Sequence, residues 1–139
     1  MKKYIHQHDI NGCGIATMAN LLNLTYQEVK KEFEANFYPI IRGVKVTDIV
    51  RYLKLKGMNY KVQHINEKKI PNIDALKLAK SENCIILIRK SEKYPIGHYL
   101  LRVENGWIDP WLNLPSIDNV YAGLRESPPN PPAYIISKL

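Results

Sequence analysis

The chain has 139 residues, 45% hydrophobic and 24% charged, the composition of an ordinary globular domain long enough to bury a core. No window reaches the apolar length of a membrane span, and Met1-Lys2-Lys3-Tyr4 leads into no apolar signal core, so a soluble, cytoplasmic protein is expected. Twenty Lys and Arg against thirteen Asp and Glu give a net charge of +7. These cations are dispersed, without a basic run carrying interleaved aromatics or a helix-turn-helix, zinc-finger or RNA-sheet signature, so the charge reads as a solvated face and nucleic acid is not an expected partner.

In chain order, Gln7 to Leu22 (QHDINGCGIATMANLL) comes first. Ile15, Met18, Ala19 and Leu22 recur at helical spacing, and Asn11-Gly12 supplies the turn that starts this helix. Cys13 falls in its first turn, where unpaired N–H groups and the helix dipole favour a negative charge, a setting that suits a thiolate. Thr25 and Glu28 form a capping box for a second helix over Tyr26–Ala35, with Val29 and Phe33 facing inward. Phe37–Gly43 reads as a loop. A third helix is predicted over Lys45–Lys56, with Thr47 as a cap, Ile49, Val50 and Leu53 as its stripe, and Gly57 as the stop.

Strands dominate the second half. Asn59–Ile65 alternates like a half-buried strand, and a short fourth helix is predicted at Pro71–Ser81. Cys84–Ile88 is apolar on both faces and reads as a central strand. His98–Glu104 and Trp107–Asp109 flank Asn105-Gly106, the strongest hairpin signal in the chain. Pro110–Pro132 reads as loop and Ala133–Ser137 as a final strand. Helices first and sheet second define an α+β fold, and with no repeat or linker one domain over residues 1–139 is expected.

The two cysteines make no disulfide framework. Cys84, inside an apolar run, reads as a core thiol. Cys13 keeps different company. A thiolate nucleophile needs a base, and the base needs an acceptor that orients it. Of four histidines, His98 stands at a strand start, and Asp109 follows eleven residues later across the turn. An oxyanion needs two donors: the N–H at the start of the Cys13 helix is one, and the side-chain NH₂ of Gln7, folded back by the intervening turn, can be the other.

A regular two-residue turn at Asn105-Gly106 pairs Glu104 with Trp107. That sets Asp109 opposite Arg102, four residues from His98 and beyond hydrogen-bond reach at about 3.3 Å per residue, and sets Asn113 opposite His98. The orienting residue is therefore Asp109 or Asn113 on spacing alone.

Gln7, Cys13-Gly14 with Ala16 and Leu21-Leu22, then Gly97-His98-Tyr99 and Asp109-Pro110, resemble the papain-like cysteine peptidases of the C39 group over roughly residues 5 to 111. Lys45–Gly57 and the strand after it also resemble that family's helix and strand ahead of its histidine. The resemblance implies a papain-like fold and thiol peptidase activity without a cofactor. It further implies bacterial leader peptides cut after a double glycine as substrates, and an exporter as partner. It makes Cys13 the nucleophile, His98 the base and acid, Asp109 the orienter and Gln7 the oxyanion donor. Asp109 is favoured over Asn113 because Asp109-Pro110-Trp111 resembles both the C39 Asp-Pro and the papain Asn-x-Trp. Three departures stand out: Gly12 occupies a position that is commonly Asp in the family, the His-to-Asp spacing is short, and the family's domains are usually the N-terminal part of a membrane exporter whereas this sequence shows no membrane span, so a stand-alone form with a separate exporter is the expectation.

Rival readings exist. His6, His8 and Asp9 form an H-x-H-D cluster that Cys13 and His98 can join, but the spacing fits no common zinc pattern, so no metal is expected. A papain-like groove that only binds peptides would usually lack the cysteine or the histidine. Acyl transfer or deamidation uses the same residues as peptide cleavage, and the fold does not choose among them.

Overall fold

A computed structural model of the chain describes residues 3–65 and 81–139. Among these, three α-helices come first: α1 (Cys13–Leu22), α2 (Tyr26–Asn36) and α3 (Val46–Leu55), with a 3-10 turn at Ile40–Arg42 inside the predicted loop. Six strands follow: β1 (Tyr60–His64), β2 (Ile85–Ile88), β3 (His98–Val103), β4 (Gly106–Asp109), β5 (Gly123–Arg125) and β6 (Pro132–Lys138). They form one antiparallel sheet in the order β1-β6-β2-β3-β4-β5. The fold is α+β, as predicted. The helix predicted at Pro71–Ser81 lies, apart from Ser81, outside the described residues.

Each helix shows why it starts where it does. α1 is buried from Cys13 to Asn20 because it is held between α2 and β3; Ile15, Met18 and Ala19 are fully enclosed, while Leu22 is only half-buried. At α2 the capping box is complete: Thr25 Oγ1 accepts from the Glu28 N–H (3.1 Å) and Glu28 Oε1 accepts from the Thr25 N–H (3.2 Å). Thr47 does not cap α3, contrary to expectation. The Lys45 N–H donates instead to Tyr38 Oη (3.0 Å), and Tyr38 Oη donates to Asp48 (2.6 Å), an acid in the first helical turn where the dipole favours it.

The sheet carries a core on each face, set by strand alternation. Ile85, Tyr99, Leu101, Ile108 and Ile136 join α1, α2 and α3 in one cluster, while Cys84, Ile86, Ile88, Leu100, Trp107 and Ile135 form the other. This explains the continuous apolar run of β2.

Two features of the second half depart from the sequence reading. The stretch predicted as loop contains β5, which pairs along β4 as Trp107↔Arg125, Ile108↔Leu124 and Asp109↔Gly123. Three residues are too few for a periodic signal; β5 exists because β4 offers it an edge. The β3–β4 hairpin is also set differently. Its turn residues are Glu104 and Asn105, and the pairs are Val103↔Gly106, Arg102↔Trp107 and Leu101↔Ile108. Gly106 has φ +151° and lies hard against the Arg125 carbonyl, so it enters the strand where a side chain would not fit. Continuing that register puts Asp109 opposite Leu100, two residues from His98 instead of four.

Candidate active site

Four segments meet at the start of α1. The first is the turn that delivers Cys13. Gly12 N–H donates to the Asp9 carbonyl (3.0 Å), and Tyr26 Oη donates to Asp9 Oδ2 (2.6 Å). That hydroxyl fills the space a Cβ on Gly12 would need. A glycine before the cysteine, where the resemblance leads one to expect aspartate, is therefore required by Tyr26. Gly14 is also confined: a Cβ there would meet Val44 at 3.1 Å and the Tyr99 ring at 3.3 Å, and Tyr99 Oη donates to the Val44 carbonyl (2.6 Å). The Cys13-Gly14 pair thus lets α1 settle against β3.

The second segment is the start of β3. Gly97, at φ +81°, packs on the Ile88 carbonyl and turns the chain into the strand at His98. His98 is 3% exposed, and the Tyr94 ring stacks on it with centroids 5.0 Å apart.

The third is β4. Asp109, fully buried, lies diagonally across from His98, and His98 Nε2 and Asp109 Oδ1 are 2.6 Å apart. The Trp111 N–H donates to the same oxygen (2.9 Å). Asn113 sits elsewhere. Its amide donates to the Asn119 carbonyl and its oxygen accepts from the Tyr121 N–H, so it fastens the exposed loop beyond Trp111 and does not meet His98.

The fourth is β5, which contributes a residue that the sequence did not reveal. Arg125 Nε donates to Asp109 Oδ2 at 2.6 Å. In a Pro- and Asn-rich stretch this arginine reads as a surface charge, and only strand pairing brings it diagonally across β4 to Asp109.

The electrostatics follow from this packing. Burial disfavours a charged His98, but the Asp109 carboxylate and the hydrogen-bonded Cys13 outweigh it and raise the histidine's pKa to about 9. Burial likewise works against an ionised Asp109, yet His98, Arg125 and the Trp111 N–H hold its pKa below the ordinary carboxylate value. With Nε2 committed to Asp109, Nδ1 is the ring nitrogen left for the Cys13 side. A thiol, an imidazole and a carboxylate arranged in this way can pass a proton from sulfur to ring and keep the imidazolium oriented.

Gln7 is buried, and its N–H donates to the Pro110 carbonyl (3.0 Å), tying the segment before Cys13 to the segment after Asp109. Its side chain differs from the expected free donor. Nε2 donates to the carbonyls of Asp9 (2.9 Å) and Ile10 (2.8 Å), while Oε1 has no partner among the described residues. Two carbonyls around one atom require that atom to be the NH₂, so both amide hydrogens hold the turn. The Cys13 N–H, at the helix start, has no intrahelical acceptor.

The H-x-H-D cluster is used otherwise. The rings of His6, His8 and Tyr26 stack in a row, and Asp9 pairs with Tyr26 and Lys30. Among the described residues no group of three or more His, Cys, Asp or Glu is placed to hold a metal ion. None of their helices is long and apolar enough to cross a membrane.

Among solved structures, the chain is similar over its whole length to the peptidase domain of Streptococcus ComA, a bifunctional ABC transporter involved in a quorum-sensing pathway. The TM-score is 0.62 at 16% identity, with 100% of both chains covered. A double-glycine-motif protease from an AMS/PCAT transporter, solved with a leader peptide, gives 0.58 at 14% identity over 96% of this chain and 87% of that one. No protein-family model matches the chain, and no curated protein does. The chain therefore has the fold of C39-type double-glycine peptidase domains, the one its sequence resembles.

Proposed function

We propose that this chain is a cysteine peptidase acting through Cys13, His98 and Asp109. The observation that carries the reading is the 2.6 Å contact of His98 with a fully buried Asp109, with Cys13 on the other side of the same ring. Cys13 and His98 form a thiolate–imidazolium pair. The thiolate attacks a peptide carbonyl carbon, forming a C–S bond and an oxyanion. The His98 imidazolium then protonates the leaving nitrogen as the C–N bond breaks, leaving a thioester. Water, deprotonated by His98, hydrolyses that thioester and returns the thiol. Asp109 keeps the ring turned toward the sulfur.

The Cys13 N–H stabilises the oxyanion, and Gln7 becomes the second donor by exchanging one loop carbonyl for the oxyanion. The substrate class is a peptide carrying a leader that ends in Gly-Gly, on the likeness to the AMS/PCAT protease, and the partner is an exporter of that peptide.

Alkylation by iodoacetamide at pH 6, followed by intact mass, tests the nucleophile. Cys13 is expected to be labelled stoichiometrically and faster than the thiol of an unstructured peptide; equal rates overturn the reading. Synthetic peptides with and without the Gly-Gly pair then test the substrate, and cleavage indifferent to the pair removes the leader assignment.

A further inference from the structure

A carboxylate that only orients a histidine needs one strong partner, and Asp109 has two cationic ones. His98 Nε2 and the Trp111 N–H take Oδ1, while Arg125 Nε takes Oδ2 at 2.6 Å. The carboxylate is fully buried, and the arginine side chain is 23% exposed at its edge. The Arg125 guanidinium also faces the Tyr94 hydroxyl, and the Tyr94 ring stacks on His98. One side chain from β5 therefore holds the carboxylate behind the imidazole and lies on the side of the Tyr94 hydroxyl, which has no hydrogen-bond partner among the described residues.

We propose that Arg125 is a positioning residue for the His98–Asp109 pair, pinning the second carboxylate oxygen and balancing its charge. This inference rests on the reading of Cys13, His98 and Asp109 as the reacting cluster.

The groups that face one another are few. His98 is faced by Cys13 from α1, Asp109 from β4 and Tyr94 from the loop before β3. Asp109 is faced by His98, Arg125 and the Trp111 N–H, and Arg125 by Asp109 and Tyr94. Thiolate, imidazolium, carboxylate and guanidinium alternate in sign and sum to zero. Without the guanidinium the enclosed cluster carries a net negative charge and Oδ2 loses its donor, an uncompensated state that a buried site resists. His98 would then face an unbalanced carboxylate and hold its proton more tightly, which hinders both its release to the leaving nitrogen and its later service as base.

A purely structural role, fastening β5 to β4, would alter stability without altering the titration of His98. The test is therefore the His98 midpoint, followed by NMR of the ¹³C-labelled imidazole in folded wild type, Arg125→Gln and Arg125→Lys. Glutamine keeps a donor for Oδ2 and removes the charge; lysine keeps the charge. The midpoint is expected to rise by at least about half a pH unit in Arg125→Gln and to stay near wild type in Arg125→Lys. An unchanged or lowered midpoint in folded Arg125→Gln overturns the proposal. Should the glutamine variant not fold, Arg125→Met decides by the same measurement: a midpoint raised by at least about half a unit supports charge balance, and one unchanged or lowered overturns it. Failure of the peptidase reading is separately visible, because an unreactive Cys13 in wild type leaves the His98 shift measurable.

Discussion

The two cysteines are both buried and stand in opposite surroundings. Cys84 lies among Ile86, Ile88, Leu100 and Ile135, its sulfur is 3.8 Å from the Ile85 carbonyl, and burial pushes its thiol up to about 12. Cys13 is scarcely more exposed, at 5% against 1%, yet it opens a helix and faces an imidazole backed by a carboxylate and a guanidinium. Enclosure is thus shared and chemistry is not. On the proposed reading, what makes Cys13 reactive and leaves Cys84 inert is the row of charged groups beside Cys13, which makes the sheet edge at β3, β4 and β5 as important as the helix start.

The largest expected effect comes from exchanging the two thiols' fates. Cys13→Ala should lower cleavage of a Gly-Gly leader peptide by at least about a thousandfold and abolish rapid alkylation. Cys84→Ala should leave kcat/KM within a few-fold and instead cost about 1 kcal/mol in urea denaturation. Equal losses of activity would erase the distinction.

Next comes the group behind the ring. Asp109→Asn should reduce kcat by about a hundredfold, whereas Asn113→Ala, far from His98, should stay within about threefold and loosen only the loop it fastens. A larger loss at Asn113 would return the orienting role to it.

A smaller effect is the pH dependence of stability. His98 has a folded pKa of about 9 against 6.5 for the ordinary imidazole, so its contribution is fully present below about 6.5 and is lost as pH rises through 9. Asp109 has a folded value below 3.8, so its contribution holds above 3.8 and is lost as pH falls through the lowered value. Stability measured by urea should therefore drop between pH 7 and pH 10 in wild type and drop less in His98→Gln. An identical drop would mean that the buried pair is not charged.

The smallest expected effect tests the turn before Cys13. Gly12→Ala should destabilise by about 1–3 kcal/mol through its clash with the Tyr26 hydroxyl. Tyr26→Phe should relieve part of that cost in a double-mutant cycle, whereas additive losses would remove Tyr26 as the reason for the glycine.

The helical half was legible because its signals are local. The α1 stripe, the Thr25 and Glu28 box and the Cys13 position each depend on residues within a turn or two of one another. Thr47 reads as a cap from adjacent sequence alone, but Tyr38, from outside the helix, secures Lys45 and Asp48. At the sheet edge, turn chemistry announced the hairpin but not its register, which depends on Gly106 lying against the Arg125 carbonyl, an event of tertiary packing. The same dependence hid β5, and with it Arg125. Gln7 was located but not its hydrogen bonds, since two carbonyls of its own turn compete for the amide.

The strand order β1-β6-β2 has a consequence in time. β6, the last strand in sequence, is seated between two strands made long before it. During synthesis at about 5–20 residues per second, Cys13 exists for several seconds before His98 is joined to the chain, and every residue of the site precedes β6. Until Pro132–Lys138 arrives, β1 and β2 each present an unpaired edge, and α3, which packs chiefly on β1, lacks its smaller contact with β6. Closing the sheet thus waits on β6, and a nascent chain halted before residue 132 carries Cys13, His98 and Asp109 with a sheet still open between β1 and β2.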